Sequence, residues 1–393
     1  MVKISTDEKK IKELLNRTVE EVISLDHLEK RLLKGEKLRI KLGIDPTSPN
    51  LHIGRAVALW KLRAFQDLGH TAVFIIGDAT GMVGDTSDKE AERPMLTEGQ
   101  VKTNMKDYFD QAFKILDPLK TETHYNSEWL AKLGFLELAR MANLFGLHEF
   151  ESREIIARRM KAGQRVSFHE LLYPLMQGYD SVAIRADVEL GGTDQRFNLL
   201  SGRRIQPLYG QEPQDIMMMK LLEGIDGRKM SSSSGNVVNL IDEPDDMFGK
   251  IMSISDGLII KYFEYATRMS MDEVLNFAKE LKNGGNPRDI KKRLAAEIVT
   301  LYYGRGKAEK ARDEWEKVFS KKELPSEMEE IESKGDIVST IVAAGIILSK
   351  SKAKRLIDQR AVKINNEAVV EWDKSVKRGD VVQVGPKRFV KIK

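Results

Sequence analysis

The stretch KLRIKLGIDPTSPNLHIGR, residues 37–55, decides the fold of this chain. Apolar and polar residues alternate over 38–44, which predicts a β-strand. A helical pattern runs from 53 to 68, and residues 71–76 again predict a strand. Strand, loop, helix and strand in this order form a βαβ unit, which implies a parallel sheet.

Further patterns extend this unit to about residue 225. Residues 7–34 have helical periodicity. Short apolar runs recur at 181–190 and 215–222, and a helical insertion is predicted around 105–170. Together they predict a Rossmann-like, doubly wound α/β domain over residues 1–225.

The rest of the chain divides into three parts. Residues 226–320 contain a serine-rich loop followed almost entirely by helical sequence patterns, which predict an α-helical domain. Residues 321–334 contain Pro325 and a charge run and predict a linker. Residues 335–393 alternate two helical pieces with short strands, which predicts a small α+β domain.

Composition excludes several chemistries. The 393 residues include no Cys, so disulfides, thiol nucleophiles and Cys-ligated metals are absent. The six His show no HExxH spacing, so we expect no protein-held metal. The N-terminus lacks a signal-peptide core, and no apolar run is long enough to cross a membrane. We therefore expect a cytoplasmic protein without membrane partners.

The net charge of +4 is unevenly distributed. Residues 351–393 carry a net +7, which leaves −3 for the preceding 350 residues. A compact basic end on a mildly acidic body indicates a module that binds a polyanion.

Two loops have phosphate-binding character. The loop 43–55 follows a strand and opens a helix, where free N–H groups attract anions. The second, GRKMSSSSGN at 227–236, offers one lysine and several hydroxyl donors. Taken separately, the first is equally a strand–helix turn capped by His52, and the second a flexible surface loop.

The two loops together resemble the paired motifs of class I aminoacyl-tRNA synthetases. Three further stretches, GDATGMVGD at 77–85, LLYPLMQGYDSVAI at 171–184 and GGTDQRFNLL at 191–200, resemble the bacterial type of tyrosyl-tRNA synthetase. The resemblance covers nearly the whole chain. Residues 348–366 resemble the small RNA-binding domain shared with a ribosomal protein.

This resemblance implies an enzyme that binds ATP, Mg²⁺ and L-tyrosine, forms tyrosyl-adenylate with release of pyrophosphate, and passes the tyrosyl group to the 3′ end of tRNA-Tyr. The attacking carboxylate is already ionised, so catalysis needs only positioning of the substrates and electrostatic stabilisation of the transferring phosphate. The resemblance implies no prosthetic group. The family also implies an anticodon-binding role for residues 226–320, and a homodimer with its interface at the helical insertion.

The resemblance also assigns residues to roles. The catalytic set is Thr47, His52, Arg55, Lys229 and Ser232. The ATP-binding set is Gly43, Asp45, Pro46, His52, Gly54, Gly192, Asp194, Lys229, Met230, Ser231, Ser232 and Ser233. The tyrosine-binding set is Lys41, Asp45, Asp85, Asn126, Tyr173, Gln177, Asp180 and Gln195. The tRNA-binding set is Arg158, Arg159, Lys352, Lys354, Arg355, Arg360 and Lys363.

The chain departs from the family pattern at three positions. Ser232 replaces the usual second loop lysine, and three neutral serines only partly compensate for its charge. Arg55 replaces the final histidine of the HIGH motif. We expect it to supply the missing positive charge on pyrophosphate from the side opposite the serine-rich loop. Lys41 stands where many tyrosyl enzymes have a tyrosine, which leaves Asp180 as the main candidate for binding the phenol hydroxyl.

Several assignments have structural alternatives. The alternative roles are a turn cap for Asp85, a core aromatic for Tyr173 and a member of a buried ion pair for Asp180. The run 158–161 is equally a solvated helix face, and Met217–Met219 reads as strand core. For the whole protein, the alternatives are the related tryptophanyl enzyme and an RNA-binding protein built on a synthetase fold.

Overall fold

The structure is a computed structural model that describes residues 4–85, 95–319, 324, 328–385 and 388–393. It contains two compact units, Met1–Ala308 and Glu309–Lys393. None of the helices within the described residues is long and apolar enough to cross a lipid bilayer.

A six-stranded sheet forms the centre of the first unit. Its strands are β1 (Val19–Ile23), β2 (Arg39–Ile44), β3 (Thr71–Ile76), β4 (Thr121–Tyr125), β5 (Val188–Gly192) and β6 (Asp215–Met219). Their order is β1-β6-β5-β2-β3-β4, and every neighbouring pair is parallel except β1 with β6. The chain winds outward in both directions from β2 and β5, so a crevice opens at the carboxyl ends of these two strands.

Helices connect the strands and continue beyond the sheet. Those before β5 are α1 (Glu8–Asn16), α2 (Leu25–Leu33), α3 (Ile53–Asp67), α4 (Asp78–Val83), α5 (Glu98–Met105), α6 (Tyr108–Ala112), α7 (Ser127–Leu130), α8 (Phe135–Ala142), α9 (Leu147–Glu151), α10 (Glu154–Lys161) and α11 (Phe168–Ile184). Those after β5 are α12 (Arg196–Ile205), α13 (Pro244–Met252), α14 (Ile259–Ala266), α15 (Met271–Lys282), α16 (Pro287–Tyr303) and α17 (Arg305–Phe319).

The predicted βαβ unit is confirmed as β2, α3 and β3. Residues 72–76 of β3 are completely buried, as expected for a parallel strand covered on both faces. Helix α3 buries Leu59, Leu62 and Phe65 within the same core. The doubly wound parallel sheet and the helical region predicted after residue 242 are likewise confirmed.

The single helix predicted over 7–34 is wrong. The segment folds as α1, then β1, then α2, with left-handed backbone at Thr18 (φ 60°) and Ser24 (φ 68°) on either side of the strand. The β-branched residues of β1 favour a strand. The hydrogen bonds of this strand come from β6, which lies nearly 200 residues later in the chain.

Two further expectations need correction. Residues 181–184 of the predicted apolar run complete α11, and the strand begins only at Val188. The insertion predicted as helical contains β4, a polar strand that pairs with β3. A strand at the edge of a sheet does not need the apolar run of a central one, so its sequence lacked the expected signal.

The second unit begins within α17 and continues into a five-stranded sheet with two further helices. These elements are β7 (Glu329–Ile331), α18 (Ile337–Ala343), α19 (Lys350–Asp358), β8 (Val362–Ile364), β9 (Glu367–Ala368), β10 (Val381–Val384) and β11 (Arg388–Ile392). The strand order is β7-β11-β10-β8-β9. Isoleucines and valines of both helices and most strands form its core.

Strand β7 falls within the predicted linker and pairs in parallel with β11. The expectation of an unstructured connection is therefore wrong for residues 329–331. Residues 321–323 and 325–327, including Pro325, lie outside the described part of the chain.

Candidate active site

A cleft of about 950 Å³ opens at the carboxyl ends of β2, β5 and β6. The loops that follow these strands and β3 form its walls, as expected at the switch point of a doubly wound sheet. Most of the residues predicted for catalysis, ATP and tyrosine line it, namely Gly43, Asp45, Thr47, His52, Gly54, Arg55, Asp85, Tyr173, Gln177, Asp180, Gly192, Asp194, Gln195, Lys229, Met230, Ser231, Ser232 and Ser233.

His52 caps the N-terminus of α3. Its Nδ1 accepts the backbone N–H of Arg55 at 3.3 Å. Burial, with a smaller contribution from the charge of Arg55, lowers the pKa of His52 to about 3. The ring is therefore neutral at pH 7, and because Nδ1 accepts, the proton resides on Nε2. This gives the cleft a neutral N–H donor beside a helix N-terminus.

Arg55 fixes the loop that follows β2. Its guanidinium donates to the carbonyl oxygen of Asp45 at 3.1 Å and to Oγ1 of Thr47 at 3.0 Å. It also donates to the hydroxyl of Tyr108 at 3.2 Å. These acceptors are neutral oxygens, so Arg55 positions Thr47 and contributes a positive charge to the cleft wall.

The serine-rich loop closes the opposite wall. Nζ of Lys229 forms an ion pair with Oδ2 of Asp194 at 3.0 Å. A Cβ atom on Gly54 would lie 3.0 Å from Sδ of Met230, so the glycine permits this close approach of the two loops. Oγ of Ser232 lies 3.2 Å from Oγ of Ser48, a contact between the two loops.

Backbone hydrogen bonds also join the two loops. The amide of Ile53 donates to the carbonyl of Val238 at 2.9 Å, and the amide of Leu240 donates to Leu51 at 2.8 Å. The segment that follows the serines is therefore attached to the beginning of α3.

Asn236, which has no role among the predicted site residues, stabilises the turn of the serine-rich loop. Its Oδ1 accepts the amide of Ser231 at 2.9 Å, and its side-chain amide donates to Asp226 at 2.8 Å. Asparagine following a glycine is a common turn signal that would have identified it.

Asp45 is the centre of a hydrogen-bond group in the inner part of the cleft. Its two carboxylate oxygens accept the hydroxyls of Thr80 and Tyr173, each at 2.8 Å. Burial raises the pKa of Asp45 to about 6. A Cβ atom on Gly77 would lie 2.1 Å from Oδ1 of Asp45, so only glycine fits there. Thr80, which holds one carboxylate oxygen, was not predicted.

Asp85 and Gln195 meet on another part of the cleft wall. The side-chain amide of Gln195 donates to Oδ2 of Asp85 at 2.6 Å. Oε1 of Gln195 in turn accepts the side-chain amide of Asn198 at 3.0 Å. Asp85 therefore presents a carboxylate to the cleft with its orientation held by Gln195.

Asp180 is a buried acceptor on α11. Its Oδ1 accepts the indole N–H of Trp129 at 2.7 Å, and its Oδ2 accepts the side-chain amide of Asn126 at 3.2 Å. Burial raises the pKa of Asp180 to about 7. Asn126 is completely buried and is not among the cleft-lining residues, so it acts through Asp180. Trp129 gave no sequence signal.

Three predicted binding residues, Lys41, Pro46 and Asn126, do not line the cleft in the described part of the chain. Lys41 is completely buried, and its Nζ lies 2.8 Å from Oε1 of Glu189, so a direct contact with tyrosine is contradicted. Pro46 is buried beneath the loop, where its carbonyl accepts the side-chain amide of Asn104 at 2.9 Å. The local pattern could not reveal these distant partners.

Arg159 is not a surface contact for tRNA. Its guanidinium is buried and forms two hydrogen bonds with Glu170, at 2.6 and 3.1 Å. The neighbouring Arg158 is exposed on α10. The helix therefore buries one of its two adjacent arginines and presents the other to solvent.

The predicted basic residues of the second unit lie on α19 and the segment after it. Lys352, Arg355 and Arg360 are exposed, and Lys363 lies on β8. Nζ of Lys354 lies 4.5 Å from the ring centroid of Trp372. This part of the unit carries positive charge, with a half-exposed aromatic ring beside Lys354.

A doubly wound sheet with HIG and KMSSS loops joined across its switch point defines a class I aminoacyl-tRNA synthetase. In agreement, the family described as "tRNA synthetases class I (W and Y)" matches residues 33–320. A second family, the "Tyrosine--tRNA ligase SYY-like C-terminal domain", matches residues 314–390.

Full-length relatives narrow this class. The chain is 46% identical to the tyrosine–tRNA ligase of Carboxydothermus hydrogenoformans, over 97% of each chain. It is also 46% identical to that of Thermotoga maritima, over 98% of each chain. The chain therefore belongs to the tyrosine–tRNA ligase family, and it is an aminoacyl-tRNA ligase.

Solved structures support the same fold. The tyrosyl-tRNA synthetase of Archaeoglobus fulgidus, complexed with L-tyrosine, aligns with a TM-score of 0.62 at 23% identity, covering 77% of this chain and 99% of that one. A C-terminally truncated mitochondrial tyrosyl-tRNA synthetase from Aspergillus nidulans aligns with a TM-score of 0.66 at 22% identity, covering 79% and 93%.

Proposed function

We propose that this enzyme activates L-tyrosine with ATP to form tyrosyl-adenylate and pyrophosphate, and then transfers tyrosine to the 3′ end of tRNA-Tyr. The observation that carries the proposal is one cleft with two ends. Two joined phosphate-type loops form one end, and the buried acceptor Asp180 lies at the other. An amino acid with a distal hydroxyl would bind between them.

Formation of tyrosyl-adenylate would require correct placement of the two substrates rather than proton transfer. The ionised carboxylate of tyrosine attacks the α-phosphorus of ATP, and pyrophosphate leaves. Nε2 of neutral His52 and the hydroxyl of Thr47 would donate to the phosphate oxygens on which charge develops. Lys229 would supply a full positive charge, and Asp194 would accept the ribose hydroxyls. Mg²⁺ would enter on ATP, because magnesium is often bound mainly by substrate phosphates.

The amino acid would be held at both of its ends. The carboxylates of Asp45 and Asp85 would face the ammonium group, together with the hydroxyl of Tyr173. Asp180 would accept the phenol hydroxyl, and a substrate without that hydroxyl would leave a buried acceptor unpaired. Tyrosyl enzymes are the standard example of this discrimination.

Amino-acid-dependent ATP–pyrophosphate exchange tests the proposal. We expect exchange with tyrosine and background rates with phenylalanine and tryptophan. Exchange driven best by tryptophan would support the tryptophanyl alternative, and background rates with every amino acid would support an RNA-binding protein without ligase activity.

The second unit would bind tRNA through its basic face, because clustered Lys and Arg attract phosphates without regard to sequence. Removal of residues 320–393 is the appropriate truncation, because a cut at 335 would leave β7 without β11. We expect the truncated chain to retain tyrosine-dependent exchange and lose most tRNA charging. Undiminished charging would exclude this role.

We further propose a cytoplasmic homodimer. The segment 119–168 exposes several large apolar side chains, at 73–94% of their surface, as expected of an interface. They are Leu119, Phe135, Leu136 and Phe168. Sedimentation of the active enzyme should give twice the chain mass of 44.6 kDa. An active monomer would contradict the dimer.

A further inference from the structure

Lys41 and Glu189 form an ion pair inside the sheet, beside the inner end of the cleft. They occupy directly opposed positions on the neighbouring strands β2 and β5. Nζ and Oε1 lie 2.8 Å apart, and each side chain is at most 1% exposed. Such a pair seldom stabilises a fold more than apolar residues would, because both charges lose their hydration. Its position therefore requires a further explanation.

Two of the three donors of Lys41 bind one turn of α11. Besides Glu189, Nζ donates to the carbonyl of Gln177 and to the hydroxyl of Ser181, each at 2.8 Å. Residues 177 and 181 are one turn apart, and Asp180 lies within that turn. An ammonium group has three N–H donors, so the observed contacts use all of them.

Glu189 holds the same turn from the other side. Its carboxylate accepts the side-chain amide of Gln177 at 3.1 Å and the hydroxyl of Ser181 at 3.2 Å. It also accepts the side-chain amide of Gln214. The ion pair therefore ties the helix turn to the two central strands of the sheet.

We propose that Lys41 is a positioning residue for recognition of the substrate hydroxyl: by fixing the 177–181 turn of α11, it places Asp180 at the inner end of the cleft. This rests on the proposed function, in which Asp180 accepts the phenol. Lys41 itself touches no substrate, and its effect passes through Asp180.

The charges around Asp180 give Lys41 a second effect. The positive charge of Lys41 lowers the pKa of Asp180, whereas burial and the nearby Glu189 raise it. The other groups that face Asp180 are the donors Trp129 and Asn126, and Tyr173 on its own helix. Beyond Trp129, the ring of His124 on β4 lies 5.6 Å from the indole.

Loss of Lys41 therefore shifts Asp180 towards its protonated form at neutral pH. A protonated carboxyl forms a weaker hydrogen bond with the phenol hydroxyl than a carboxylate does. The effect on tyrosine binding should consequently depend on pH, which a purely structural role would not produce.

The test is ATP–pyrophosphate exchange with the full-length variant Lys41→Met. We expect the KM for tyrosine to rise at least tenfold at pH 7, with kcat within threefold of wild type and the KM for ATP unchanged. The preference for tyrosine over phenylalanine should fall at least tenfold. The tyrosine defect should shrink as the pH rises from 7 to 9.

Lys61 supplies a matched control. It is another buried lysine of the same unit, and its Nζ donates to the carbonyls of Leu14 and Arg17, each at 2.6 Å. Lys61→Met should leave the KM for tyrosine and the tyrosine preference within twofold of wild type. A second variant, Lys41→Met with Glu189→Gln, leaves no unpaired buried charge and decides the question if the single variant does not fold.

The possible failures are distinguishable. Wild-type enzyme without tyrosine-dependent exchange would overturn both the proposed function and the role of Lys41. Active wild type, with either Lys41 variant folded and unchanged in tyrosine KM and selectivity, would overturn the positioning role alone. Equal losses for tyrosine and ATP would also overturn it, because they would indicate general damage.

Discussion

Nζ of Lys229 lies 3.0 Å from Oδ2 of Asp194, so the lysine proposed for pyrophosphate is paired with the carboxylate proposed for the ribose. Both partners line the same cleft. ATP binding would replace this ion pair with two contacts to the nucleotide, one at each end. We therefore expect ATP binding to break this ion pair and to leave each side chain available to the nucleotide.

Lys229→Met should lower kcat for tyrosyl-adenylate formation about 100-fold, the usual cost of losing one preorganised charge on a transition state. The KM for tyrosine should change little, because Lys229 lies at the ATP end of the cleft. Rapid-quench measurement of adenylate formation checks this. The control is Arg228→Met, which alters an adjacent exposed cation that pairs with Asp226. Equal effects of the two variants would contradict the assignment.

Ser232→Lys should raise kcat for exchange by roughly fivefold, because it restores a charged donor worth about 1 kcal/mol more than a hydroxyl. Ser232 already lines the cleft, and its Oγ lies 3.2 Å from Oγ of Ser48. Ser234→Lys adds the same charge two residues away, at a position that does not line the cleft among the described residues, and should not raise the rate. If Ser232→Lys leaves kcat unchanged, the missing charge is not limiting.

The pH dependence of tyrosine use should have an acid limb between pH 7 and 6. Burial raises the pKa of Asp180 to about 7 and that of Asp45 to about 6, so both carboxylates become protonated across this interval. The kcat/KM for tyrosine should fall there, whereas the KM for ATP should stay unchanged. A profile that is flat for tyrosine from pH 8 to 5.5 would contradict the proposed contacts.

Asp180 should also influence stability. Its folded pKa exceeds the ordinary value, so the folded protein binds more protons than the unfolded chain between about pH 4 and pH 7. Its contribution to the free energy of unfolding is therefore present at low pH and lost as the pH rises through 7. Asp180→Asn removes this loss, so its stability relative to wild type should improve from pH 5 to pH 8 by roughly 1–3 kcal/mol. Urea titrations at both pH values measure the difference.

The adjacent arginines of α10 should behave differently. Arg159→Met should lower the free energy of unfolding by about 3–5 kcal/mol, because it leaves the buried carboxylate of Glu170 without its partner. Arg158→Met should change stability by less than about 0.5 kcal/mol, since this residue is exposed. Any tRNA contact from this helix would appear as a charging defect in Arg158→Met with exchange intact. A stable Arg159→Met protein would contradict the buried-pair account.

The parts of the fold that the sequence predicted are those specified by local patterns. The alternation in β2, the helical period of α3 and the apolar run of β3 each lie within one short stretch. Strands β1 and β4 escaped prediction because they are edge strands, which form through pairing with strands elsewhere in the chain. The strand β7 was missed for the same reason, since its partner is the last strand of the chain.

The candidate site divides in the same way. The two loops and the polar residues of α11 were predicted from motifs, and they line one cleft. Lys41 was misassigned because it occupies the position of a binding tyrosine in the family, and Arg159 because charged residues usually lie exposed. The burial of the two residues depends on Glu189 and Glu170. Trp129 was missed because an indole donor to a carboxylate has no recognisable spacing. Burial and pairing are properties of the assembled fold, so a motif cannot report them.

The backbone bonds between Ile53 and Val238, and between Leu240 and Leu51, have a consequence for how this enzyme can change. They join the beginning of α3 to the segment that follows the serines, so the two segments move together. These segments lie almost 190 residues apart in the sequence. A substitution that displaces either segment will displace the other, so paired substitutions there should be strongly non-additive. The two segments that we propose to hold ATP should therefore evolve together.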